Sequence, residues 1–198
     1  MSYRRHKMMA SQRMVEVEYI LFTGDSHKIN TGLYISEEQG AVACKISAPN
    51  TIQNQYRLIS YQTDSGFQVY KNGISSVAYS AGGAWIDGGR TMNNTFPNYT
   101  VFNIDWYNKV STVQNTQQNG VVTKTISKVS TNVGGPIMFA GNGFENGRIY
   151  YITFSKNGEL VFDAIPVRVG KKGYFYDRIT DSLFGDGVGL IPGPDKTT

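Results

Sequence analysis

Few residues in this sequence are arranged for chemistry. Glycoside hydrolysis needs two carboxylates about 5–9.5 Å apart across the scissile bond. The acidic pair that shares a strand face is Glu16 and Glu18, in the alternating run Val15-Glu16-Val17-Glu18-Tyr19. That pattern reads as a strand whose acids face solvent. The two histidines are His6, in a basic terminus, and His27, in a predicted turn. Neither lies beside a nucleophile motif. Two histidines and scattered acids also argue against a transition-metal site. Asp177, Asp181 and Asp186 gather near the C-terminus and could offer oxygens to Ca²⁺, but their spacing follows no calcium-loop pattern. The single Cys44 excludes an intramolecular disulfide. Within Ala41-Val42-Ala43-Cys44 it reads as a small buried hydrophobe. The expectation is a protein with no catalytic residues, no metal and no cofactor.

Binding is better provided for than catalysis. A carbohydrate is met by exposed aromatic platforms with Asn, Asp and backbone groups beside them. Trp85 lies between Ala81-Gly82-Gly83-Ala84 and Asp87-Gly88-Gly89, which places it near a predicted loop tip. Asn94 and Tyr99 follow. Trp85, Asp87, Asn94 and Tyr99 are therefore the candidate glycan-binding residues. Trp106 alternates with Phe102 and Ile104 and reads as core.

The elements that must hold these residues are strands. Charged residues make up 17% of the 198, below the roughly 25% of an average globular protein, and 22 glycines help to carry the turns. Asn-Gly and Asp-Gly pairs recur at residues 72, 87, 119, 142, 146, 157 and 186. Such pairs supply the positive φ of tight hairpins. The clearest predicted hairpin joins Ile149–Ser155 to Leu160–Val169 through Asn157-Gly158. Others are Phe67–Tyr70 with Ile74–Tyr79, a strand over Tyr99–Tyr107 and a long one over Val121–Val129. Pro166 predicts an edge or an interruption. No amphipathic helix of three turns and no linker appears. The expected fold is all-β: a two-sheet antiparallel jelly-roll sandwich over residues 15–198, preceded by a basic arm over 1–14.

Charge is concentrated in that arm. Arg4, Arg5, Lys7 and Arg13 precede the first acid, Glu16, and four is also the net charge of the whole chain. The body is therefore neutral, and nucleic acid is not the expected partner. The arm lacks the apolar stretch of about 7–15 residues of a secretory signal, and no segment is apolar enough for a membrane span. Three roles remain open for it: a solvated terminus, an electrostatic contact with an acidic surface, or docking into a protein with Met8 and Met9 filling apolar pockets.

Two stretches carry a family resemblance. Glu18-Tyr19-Ile20, Thr23-Gly24, Ile29 and Thr31-Gly32 resemble the opening motif of concanavalin A-like (laminin-G-like) jelly-roll domains, with Lys28 where an aromatic residue is common. Gly147-Arg148-Ile149-Tyr150-Tyr151, Asn157 to Arg168 with its Ile165-Pro166-Val167-Arg168 step, and Gly173-Tyr174-Phe175-Tyr176-Asp177 resemble its closing strands. The opening Met1-Ser2-Tyr3-Arg4-Arg5 is similar to the start of small phage-encoded proteins of this kind. The glucanases of the family carry Glu-x-Asp-x-x-Glu on one strand, and this chain has no such string. The resemblance implies two stacked antiparallel sheets and no one function; with the basic arm and the phage-like start, the expected role is a non-catalytic bacteriophage virion component, such as a head fibre or decoration protein. Arg4, Arg5, Lys7, Met8, Met9 and Arg13 would anchor it to capsid or fibre proteins. The alternative is a lectin-like module for host glycans, located on a virion or at a cell surface. A homo-oligomer, a trimer first among them, is the assembly expected of a fibre.

Overall fold

Period-two alternation decides the architecture. The computed structural model describes residues 13–24, 28–47, 56–61, 69–72, 76–91, 96–140, 144 and 146–197. In chain order the strands are β1 (Met14–Glu16), β2 (Ile20–Phe22), β3 (Ile29–Asn30), β4 (Gly40–Ser47), β5 (Tyr56–Tyr61), β6 (Val69–Asn72), β7 (Ser76–Ala81), β8 (Ala84–Thr91), β9 (Thr100–Asp105), β10 (Val110–Asn115), β11 (Gln118–Thr125), β12 (Ile137–Phe139), β13 (Arg148–Lys156), β14 (Glu159–Val169), β15 (Lys172–Asp177), β16 (Ser182–Phe184) and β17 (Leu190–Pro192). The helical element among the described residues is one 3₁₀ turn, Glu37–Gln39.

These strands build two antiparallel sheets. The larger runs β11-β10-β9-β4-β13-β14-β15-β16, with β1 on β14 and with β2 bridging β13 and β17. The smaller runs β3-β12-β5-β6-β7-β8. The all-β antiparallel sandwich read from the turn spacing is what the chain forms. The inward residues of β4 are Val42, Cys44 and Ile46, opposite Ile104, Phe102 and Thr100 of β9. On the other side β4 meets Phe154, Ile152 and Ile149 of β13. Cys44 is fully buried among them, as expected.

Aromatic rings close the space between the sheets. Phe139 of the smaller sheet packs edge-on against Phe162 and Phe175 of the larger. Tyr79 meets Trp106 at 86°, and its hydroxyl shares a 2.7 Å hydrogen bond with Ser111. The fully buried Trp106 indole donates to the Ser80 carbonyl at 2.5 Å. A buried indole N–H needs such an acceptor. Glu37 completes the tie: one of its carboxylate oxygens accepts from the Gly82 and Ser130 amides at 2.8 and 2.7 Å.

The Asn157-Gly158 hairpin forms as read, with φ of 53° and 83° at the two residues. Residues 72 and 76 pair across the next predicted hairpin. Two other Gly dipeptides do not turn the chain. Asp87-Gly88 lies inside β8, at a register shift opposite Ala78, and the turn is made by Gly82-Gly83 instead. A Cβ at Gly88 would sit 2.9 Å from the Val77 carbonyl and 3.0 Å from Val113, so glycine is there for close approach of the sheets. Asn119-Gly120 likewise falls in β11, beside a bulge, and the turn is at Thr116-Gln117. β11 ends at Thr125, short of Val129.

Pro166 also differs from expectation, because β14 continues through it with β15 on one side. On the other side the neighbour changes from β13 to β1, between Ala164 and Val167. The Pro166 carbonyl accepts from Val17 on that side. The missing N–H points to the same side, into the gap between the two partners.

The C-terminal segment is fastened to β1. Val17 bridges to Asp195, and Glu18 N–H donates to Pro194. Arg168 grips Asp195 with two bonds of 2.6 and 2.7 Å.

Two predictions follow from these ties. Trp106→Phe removes the indole bond and costs about 1–3 kcal/mol, measurable by urea unfolding. The Arg168 hydrogen bonds hold the Asp195 carboxyl below its ordinary range. Their contribution is complete above the ordinary aspartate value and is lost as pH falls through the depressed one. Arg168→Met therefore lowers the melting temperature at neutral pH. Its deficit shrinks on acidification, which thermal melts from roughly pH 2 to pH 7 will read.

Candidate functional site

The outward face of the larger sheet is polar, and its centre is hollow. Opposite Val42, Cys44 and Ile46, the alternation of β4 points Ala41, Ala43 and Lys45 outward. Two alanines side by side leave a low floor. The flanking outward residues are Asn103 and Asp105 of β9, and Thr153 and Ser155 of β13. Together with Asn108 and Gly158 they enclose a trough of about 200 Å³.

Its polar groups are held by the backbone turns around them. Asp105 accepts from the Asn108 amide N–H and from the Asn108 side chain, both at 2.8 Å. That closes the β9–β10 turn, where Lys109 takes a φ of 59°. The next row across the sheet continues the polar surface, because Asp163 lies opposite Thr153 and is paired with Arg178 at 2.7 Å. Tyr107 stands exposed at one end of the trough, 3.6 Å from the position a Cβ would take at Gly158.

Aromatic rings bound the other end. Lys45 lies opposite Tyr151 and Val101. Its ammonium is 3.7 Å from the centre of the Tyr99 ring and 4.8 Å from that of Tyr150. Tyr150 extends the cluster to Tyr19, and Tyr19 to Phe96. Arg148 stacks at 4.5 Å over Phe96. Burial pushes the Tyr150 and Tyr151 phenols up. It pushes the Lys45 ammonium down, helped by Lys196 and opposed by Glu18. What this face offers is a rigid floor, amide, carboxylate and hydroxyl groups at its centre, and rings at both ends.

The sequence-predicted glycan residues are divided by the structure. Tyr99 belongs to the aromatic end of this face. Trp85 is 48% exposed, but it sits in β8, the edge strand of the smaller sheet, and not at a loop tip. Asp87 follows on the same strand, and its side chain accepts from the Gly89 amide at 2.7 Å. Asn94 lies outside the described residues. Trp85 and Asp87 thus sit on one sheet and Tyr99 on the other. Trp106 is core, as read.

Of the predicted anchoring residues, Arg4, Arg5, Lys7, Met8 and Met9 lie outside the described residues, as do His6 and His27. Arg13 is exposed and lines an open depression of about 560 Å³ with Val15, Arg168, Gly170, Asp195 and Lys196. Lys171 and Lys172 follow Gly170 at the turn into β15. Arg13, Lys171 and Lys172 form no ion pair among the described residues.

Four further acids hold local structure. Glu16 pairs with Lys196. Asp177 is buried and accepts from the Asp163, Ile179 and Thr180 amides and the Thr180 hydroxyl. Asp181 accepts from Tyr176, and Asp186 from the Val188 amide. Among the described residues no group of three His, Cys, Asp or Glu side chains could hold a metal ion. No helix among them is long and apolar enough to cross a membrane.

The trough was missed in the sequence because its residues come from three distant segments. The signal that could have found it is the pair of alanines at outward positions of a strand whose inward positions are Val, Cys and Ile.

Comparison with known proteins adds little. No family model matches the chain, and no curated protein matches it. Among solved structures, it is similar to a xylan β-1,4-xylosidase from Bacillus halodurans at 9% identity and a TM-score of 0.35. That match takes in 59% of this chain and 27% of the xylosidase chain, so the chain spans about a quarter of that protein.

Proposed function

We propose that this chain is a non-catalytic binding module of the concanavalin A-like kind, which receives a glycan in the trough on its larger sheet. The observation that carries this is the trough itself: short residues for a floor, amide, carboxylate and hydroxyl groups of Asn103, Asp105, Asn108, Thr153 and Ser155 for sugar hydroxyls, and, beyond its lining, Tyr107 beside Gly158 and the Tyr99 and Tyr150 rings around Lys45. Shallow polar sites with aromatic walls suit ligands that are hydroxylated on their edges and apolar on their faces. The two nearest carboxylates, Asp105 and Asp163, are engaged by Asn108 and Arg178, which supports binding over hydrolysis.

Ala43→Leu tests this. The added side chain extends into the trough and away from the core, so stability changes by no more than about 0.5 kcal/mol. Binding on a glycan array should vanish in the variant. Unchanged binding by Ala43→Leu would place the ligand elsewhere.

A second proposal concerns where the module works. The resemblance to phage-encoded proteins favours a virion appendage anchored through residues 1–14. One structural observation supports it. Arg13 precedes β1, which pairs with the end of β14, and Lys171 and Lys172 follow that end; none of the three has an acidic partner among the described residues. Such a surface suits an acidic partner protein. Deletion of residues 2–13 should leave a folded body, by thermal melt, that is no longer incorporated into particles. Normal incorporation of the truncated protein would end the proposal.

A further inference from the structure

The trough has a direction. Asp105 stands near its Tyr107 end, and Lys45 lies beyond the opposite end, two residues along β4 from Ala43. Outward neighbours on a strand lie about 6.6–6.8 Å apart, so a ligand seated on Ala43 meets the Lys45 side chain if it extends along β4 away from Asp105.

The surroundings of Lys45 are unusual for an ammonium. The groups that face it are the rings of Tyr99 and Tyr150, with Tyr151 and Val101 opposite it on the neighbouring strands. No carboxylate pairs with it among the described residues. Glu18 acts on it favourably and Lys196 unfavourably, both from a distance. Ring faces attract a cation but accept no conventional hydrogen bond from it. The three N–H donors of the ammonium are thus available to a ligand. Because the site is partly desolvated, an incoming anion would be screened less than on open surface.

Resting on the glycan proposal above, we propose that the trough selects an acidic sugar, whose carboxylate is received by Lys45 while its ring hydroxyls meet Asn103, Asp105 and Asn108. The carboxylate of Asp105 repels a like charge at the opposite end, so the acid group has one favourable orientation. Tyr99 and Tyr150 hold the lysine in place and give the adjoining ring an apolar wall.

The test uses the full chain on an array that pairs acidic oligosaccharides with neutral counterparts: oligogalacturonates with their methyl esters, oligoglucuronates with glucose oligomers, and sialyllactose with lactose. The expected result is that an acidic member binds about tenfold or more tighter than its neutral partner, and that its binding weakens as salt rises. Lys45→Met should abolish the difference and Lys45→Arg should keep most of it. Asn103→Ala should weaken both members of the pair. Thermal melts confirm that each variant is folded. Neutral sugars leading the array, or an acid preference that survives Lys45→Met, overturns the acidic-sugar inference and leaves the glycan proposal standing. Silence across the array overturns both.

Discussion

Everything on the outer face of the larger sheet depends on the alternation of two strands at its centre. β4 and β13 have neighbours on both sides, so each of their residues must serve one face or the other. The inward positions carry Val42, Cys44, Ile46, Ile152 and Phe154, which interlock with the rings of the smaller sheet. Close packing constrains those positions to about one methylene. The outward positions carry no such constraint, and larger residues there would cost little stability. The core therefore does not explain why Ala41 and Ala43 are small. A low floor in mid-sheet is a property of the face and not a by-product of folding.

The same division explains how the charges are used. Most acids near the face are occupied in closing turns: Asp105 at the β9–β10 turn, Asp177 and Asp181 after β15, Asp186 before β17. Arg178 and Arg168 are each matched to one aspartate. Against that background Lys45, like Arg148 beside it, is held by rings and not by a counter-ion among the described residues. The asymmetry gives an otherwise polar trough a positive end.

The fold could be read from the sequence because its signals are local. The alternation of Ile149–Ser155 and Leu160–Val169 on either side of Asn157-Gly158 announces a hairpin, and the apolar run from Ala41 announces a buried Cys44. Trp106 could be assigned to the core from its spacing with Phe102 and Ile104. Other features were illegible for a physical reason. Asp87-Gly88 and Asn119-Gly120 look like the hairpin dipeptides, but glycine also serves at a bulge, and local sequence cannot separate the two uses. Trp85 was misplaced for that reason, since the true turn is one glycine pair earlier. The trough is less legible still. Asn103, Thr153 and Ala43 become neighbours only through strand register, and register is settled by the whole core. Only Tyr99 was picked out in advance, and it was grouped with residues of the opposite sheet.

One buried atom gives this protein a built-in gauge. Cys44 is the sole thiol in the sequence, and it lies between Phe102 and Ile152 beneath the floor of the trough. Burial pushes its pKa well up, so the reactive thiolate is scarce as well as shielded. An alkylating reagent can consume it only while the two sheets are apart. At reagent concentrations where alkylation outpaces reclosing, the rate of that consumption in the native state counts openings that expose Cys44. Each molecule thus carries its own clock for the lifetime of its folded core, with no label added.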